Sequence, residues 1–114
     1  MIVKSINELV AETDSPYPGI QKKYFLGKYD GSNEIIMRYF IVEPGNSTPF
    51  HQHPFPHLVK VEKGEGLLVD VDNKKTKLVR DNLVYIHDNE WHCFKNMCDI
   101  PFEFICIVPE RGEK

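Results

Sequence analysis

The sequence has no long apolar run, no cysteine framework and no surplus of either charge, and each absence removes a class of protein. No segment approaches the roughly 20 apolar residues of a membrane helix. The opening stretch from Met1 to Thr13 carries no uninterrupted apolar segment of signal-peptide length. Three cysteines, Cys93, Cys98 and Cys106, form neither a CxxC pair nor a zinc-ribbon spacing. Thiols without a framework fit a reducing compartment, so the expected location is the cytoplasm. The net charge of −3 over 114 residues gives no electrostatic reason to expect nucleic acid or an anionic membrane as partner. Nucleophile-elbow, P-loop and GxGxxG patterns are missing, and so are internal repeats. Asp70, Asp72, Asp88 and Glu90 fall in turns or at strand ends and offer no catalytic pair.

What remains is one domain of mostly strand. A chain of this length buries about two-thirds of the surface its unfolded form exposes, enough for a core without disulfides. Residues 1–114 are therefore read as a single domain. Helix is nearly absent from the pattern. Ser5 and Glu8 have capping-box spacing, and Ile6, Leu9 and Val10 would share one face of a short N-terminal helical turn. The run from Asp14 to Gly19, with Pro16 and Pro18, then breaks it. Strand-like runs follow at 20–29, 34–42, 57–63, 67–72, 75–80, 83–86, 91–95 and 102–108, the one at 57–63 rich in valine. Turn residues separate them, among them Asp30-Gly31-Ser32-Asn33, Glu43-Pro44-Gly45, Gly64-Glu65-Gly66 and Asn73-Lys74. Many short strands with frequent turns imply a sandwich or barrel.

Four of the five histidines form a metal-ligand pattern. His51 and His53 are two apart, so in extended backbone both rings point to one face. His57 follows across Pro54-Phe55-Pro56, and two prolines exclude a helical pair at that spacing. His57 then opens the next strand, and His92 comes from a distant one. Imidazole suits zinc, copper, iron and nickel, and accepts manganese less tightly. His87, the fifth, sits in a turn and is expected to be exposed.

The same residues carry a family resemblance. Gly45, five residues, His51-x-His53, three residues, His57, six residues and Gly64 reproduce the spacing of the first cupin motif, with histidine where most cupins have glutamate. The second motif runs in register from Asp81 through His87, Asn89 and His92 to Asn96. Its histidine and asparagine are kept, and Asp81 and Asn89 stand at its two glycine positions. Asparagine is the residue that most readily replaces glycine where φ is positive. The resemblance covers residues 35–109 and is closest to small cupins with an all-histidine site. It implies an all-β double-stranded β-helix, the cupin jelly-roll barrel, often paired as a homodimer.

The resemblance further implies one divalent transition metal per chain, Mn, Fe, Ni, Cu or Zn, on His51, His53, His57 and His92. It implies a metal-dependent enzyme of small molecules, dioxygenase-like, with a carboxylate or diketone substrate. A decarboxylase, an isomerase or a non-catalytic module that binds or senses a carboxylate stays open beside it. Exchanging glutamate for His57 removes one negative charge from the metal and leaves it more electrophilic.

Strand phase adds pocket candidates. With Glu103 facing out, Phe104 and Cys106 face in, and Phe94 shares the face of His92. These three either line the metal pocket or belong to the core. Arg38 interrupts the apolar run from Ile35 to Val42. It is either an anchor for a carboxylate or a residue of a strand edge or dimer interface. Both faces of that strand are apolar, so both are expected to be covered, with Tyr39 and Trp91 candidates for an outer surface against a second subunit.

Overall fold

Local turn chemistry sets where each strand stops. The computed structural model describes residues 1–9 and 17–113, with eight strands and three short 3₁₀ turns among them. The strands are β1 (Ile20–Leu26), β2 (Ile35–Val42), β3 (His57–Lys63), β4 (Gly66–Val69), β5 (Lys75–Leu78), β6 (Leu83–Ile86), β7 (Cys93–Lys95) and β8 (Phe102–Pro109). The expected runs are found, several of them shorter. β1 ends at Leu26 because Asp30 accepts the Gly27 amide at 2.9 Å and closes a 3₁₀ turn over Lys28–Asp30. β4 ends at Val69 because the Asp70 carboxylate accepts the amides of Asp72 and Lys74, both at 2.9 Å. β5 ends at Leu78 because the Val79 amide turns away to Asn82 Oδ1 at 2.8 Å.

The N-terminal helical turn shrinks to one 3₁₀ turn, Ile6–Glu8. Ser5 Oγ accepts the amide of Asn7 at 3.3 Å. Ile6 is exposed, so no buried face extends the turn. Val10 and the breaker segment up to Pro16 lie outside the described residues.

All strand pairs are antiparallel. They form a five-stranded sheet, β1-β2-β8-β3-β6, and a three-stranded sheet, β5-β4-β7. The segment before the histidines extends the smaller sheet past β7 through isolated bridges Ser47 to Lys95 and His51 to His92. The inner faces meet in an apolar core. Ile36, Val42, Val61, Phe102 and Val108 are almost wholly buried, and Phe94 of the smaller sheet stacks on Phe104 of the larger at 4.5 Å. Burying one phenylalanine this fully contributes about 2–3 kcal/mol.

The motif residues explain themselves in this frame. Gly64 has φ +74°, and a Cβ there would lie 2.2 Å from the carbonyl oxygen of Pro101. Only glycine fits. Asp81 and Asn89 have φ of 71° and 61°, the left-handed conformation that the two glycine positions require. Asn96 is completely buried. It donates to the carbonyls of Val42 and Ile100, each at 2.8 Å, and accepts the Cys98 amide at 2.9 Å. It pins the loop before β8 to the end of β2.

Candidate metal centre

Three histidines are brought together by backbone pairing. His51 and His92 face each other across the isolated bridge and exchange two backbone hydrogen bonds, at 3.1 and 2.9 Å. His53, two residues on from His51, has its ring 4.1 Å from the His51 ring. Among the described residues, ligand atoms of His51, His53 and His92 all lie within 4.8 Å of one another. His51 and His53 are half-buried and His92 is buried, so the group opens to solvent on one side.

His57 opens β3 and packs its ring 5.2 Å from His53 and 5.1 Å from His92. It is not part of the three-residue group. The ring is 6% exposed, and its Nδ1 is buried with no hydrogen-bond partner. Such an orphan costs about 1–3 kcal/mol unless a ligand or a ring movement satisfies it.

The chemistry of this donor set fits a divalent ion. Burial, first of all, depresses the imidazolium form of every ring in the cluster. His51 is lowered to about 4, with repulsion from His53, His92 and Arg38 adding to burial. His57 is lowered to about 3, and His53 is lowered as well, both chiefly by burial. Burial also lowers His92, partly opposed by its hydrogen bond to the Glu90 carbonyl. Neutral rings are the form that binds metal. Nδ1 of His92 donates to that carbonyl at 2.8 Å, which leaves Nε2 as the ring's free lone pair.

The pocket candidates face the interior. Phe94, Phe104 and Cys106 are all buried, and the Phe94 ring lies 6.1 Å from His92. Arg38 is buried too and points inward. It donates to Cys106 Sγ at 3.2 Å and lies 5.0 Å over the Phe40 ring. Its charge reaches His51, His53 and His57, where it opposes protonation. The strand-edge reading of Arg38 is thereby corrected: β2 lies between β1 and β8, and even-numbered residues of β2 face the core. The outer-surface reading of Tyr39 is also corrected. Tyr39 is buried, stacked on Phe25 at 5.0 Å and donating to Glu103 at 2.9 Å, so this chain covers it. Trp91 stays partly exposed and stacks on Phe50. His87 is exposed and packs against Tyr85.

Sequence reading missed Phe55. Its buried ring stacks on His53 at 4.7 Å and sits 5.2 Å from His57, so it props two rings of the cluster. Its place between Pro54 and Pro56 was the available signal, because prolines on both sides restrict the backbone that presents it.

Comparison with known proteins gives a consistent outline. The profile of the cupin domain family matches residues 38–108. The chain is 26% identical over 103 residues to a 1-methylthio-D-xylulose 5-phosphate methylsulfurylase of Rhodospirillum rubrum, covering 90% of this chain and 64% of that protein. It is 34% identical over 61 residues to the transcriptional activator RhaR of Escherichia coli, covering 54% of this chain and 21% of that one. The chain thus spans less than two-thirds of the length of either curated relative. The polyketide cyclase RemF from Streptomyces resistomycificus superposes with a TM-score of 0.89 at 22% identity, covering 96% of this chain and 80% of that one. That likeness shows the fold.

Proposed function

The chain belongs to the cupin domain family, and from that premise we propose that it is a single-domain, metal-binding cupin that acts on a small molecule. The observation that carries this reading is the convergence of His51, His53 and His92 at the open side of the core. His57, whose ring packs beside two of these rings and whose buried Nδ1 has no hydrogen-bond partner, is proposed as the fourth ligand. One divalent transition ion per chain, Mn, Fe, Ni, Cu or Zn, is the proposed cofactor. All-imidazole donors favour the later members of that set over manganese. When bound, the ion supplies Lewis acidity and, if redox-active, electron transfer.

The chain's own residues then bind and orient. Arg38 offers a planar fork suited to a carboxylate or diketone. Phe94, Phe104 and Cys106 provide apolar walls that limit water. The reaction proposed is dioxygenase-like, with decarboxylation or isomerisation as the other enzymatic forms, in a cytoplasmic setting. A second reading, a non-catalytic module that binds or senses a small carboxylate, is favoured by the match to part of a transcriptional activator. The deciding assay is oxygen uptake and product formation by the iron, copper and manganese forms with catechols, diketones and oxalate. Turnover that falls at least tenfold in Arg38→Met supports the enzyme. Tight ligand binding without turnover supports the module, and the absence of both turnover and binding overturns both readings.

The outer face of the larger sheet supports a homodimer. Met37, Ile107, Leu58 and Tyr85 stand in one cross-strand row, with Leu58 and Tyr85 exposed. An apolar row of this kind suits a second copy. Sedimentation equilibrium should give a dimer that Leu58→Glu dissociates. A monomeric wild type at all concentrations counts against it.

A further inference from the structure

Two of the clustered rings trace back to one four-residue turn that contributes no ligand. The turn runs from His87 to Glu90, before β7. The Glu90 amide donates to the His87 carbonyl at 3.2 Å, and the Glu90 carboxylate accepts the His87 amide at 3.0 Å. Within it Asn89 holds φ at 61°. From that conformation the Asn89 amide donates to the carbonyl of His53 at 2.6 Å. The carbonyl of the following residue, Glu90, accepts from Nδ1–H of His92 at 2.8 Å. His53 and His92 lie 39 positions apart in sequence, yet two adjacent residues of one turn, Asn89 and Glu90, hold the backbone of the first and the ring of the second.

We infer that the His87–Glu90 turn is a positioning device for the histidine cluster, with Asn89 and Glu90 its positioning residues. The inference rests on the metal-binding reading proposed above. The left-handed backbone at Asn89 aims its N–H at His53. It also places the Glu90 carbonyl so that His92 keeps its proton on Nδ1 and presents Nε2. Glycine and asparagine hold that conformation readily, whereas a β-branched residue strains it. Loss of the turn would let His53 drift from His51 and let His92 populate the other tautomer. A supporting group that orients a ligating histidine typically changes metal affinity 10- to 100-fold.

The test uses Asn89→Val, Asn89→Gly and the milder Asn89→Ala, which keeps the comparison open if the valine variant does not fold. Zinc and nickel affinities are measured by chelator competition on the full chain. The imidazole ¹⁵N shifts of His92 are recorded on metal-free protein. Expected are affinities about 10- to 100-fold weaker in Asn89→Val, several-fold weaker in Asn89→Ala and within about threefold of wild type in Asn89→Gly. The His92 spectrum should show the Nδ1–H tautomer in wild type and Asn89→Gly, and a mixture in Asn89→Val. Wild-type affinity in a folded Asn89→Val, or equal weakening in Asn89→Gly, overturns the inference. A wild type that binds no metal sinks the metal reading instead. The tautomer arm still judges the turn, and an unchanged His92 in the strained variants overturns it.

Discussion

Replacing His92 with alanine is expected to strip the protein of nearly all its metal. His92 belongs to the group of three whose ligand atoms lie within 4.8 Å. It is also the buried member whose tautomer is set by a backbone carbonyl. Removing it takes away a proposed ligand whose orientation the fold has already fixed. The affinity loss should exceed the 10- to 100-fold that attends loss of a mere supporting group. Elemental analysis after loading with zinc or nickel and gel filtration should find less than about a tenth of the wild-type content. His57→Ala belongs in the same experiment. A four-histidine set predicts that it also loses most of its metal. Retention there beside loss in His92→Ala would reduce the set to His51, His53 and His92. Full occupancy in both variants would sink the metal assignment. His87→Ala is the control: an exposed ring outside the cluster should leave metal content unchanged.

Acid should destabilise the metal-free protein, and the onset should lie near the titration of an ordinary histidine. In the fold, His51 stays neutral down to about 4 and His57 to about 3, with His53 and His92 lowered in the same direction. Unfolded histidine titrates near 6.5. Between those limits the unfolded chain binds more protons, so stability falls as pH falls. The contribution of the neutral rings is fully present above about pH 6.5 and is lost as pH falls, toward about 4 for His51 and about 3 for His57, with His53 and His92 acting in the same direction. Each ring that stays neutral adds a slope of up to about 1.4 kcal/mol per pH unit, less where it is half open to water. Urea midpoints should be nearly level from pH 8 to 7 and drop steeply from 6 to 5. A midpoint unchanged between pH 7 and 5 would show that the rings are protonated freely in the fold. Neutral rings also mean that an incoming metal displaces few protons at neutral pH.

The existence of the strands and the motif geometry were largely legible in the sequence, because they depend on near neighbours; Asn89 takes positive φ through its own backbone preference. Strand limits were less so: the run expected over 67–72 stops at Val69, because the Asp70 carboxylate captures the amides of Asp72 and Lys74. The inward phase of Phe104 and Cys106 followed from alternation once Glu103 was taken to face out, and Glu103 does share the outer face with Tyr39. Tyr39 itself was read wrongly because its cover is Phe25, at a register shift between Tyr24 and Leu26 that alternation does not reveal.

The sequence by itself determined an all-β chain with His51 and His53 on one face, since a two-residue period and two prolines leave little else. Only the tertiary structure decided which residues meet. The His51–His92 bridge, the inward turn of Arg38 toward Cys106 and the position of His57 beside the three-residue group all depend on register between strands distant in sequence. Register is fixed by the packing of whole faces, with a one-residue slip turning every side chain around, and no short stretch of residues encodes it alone.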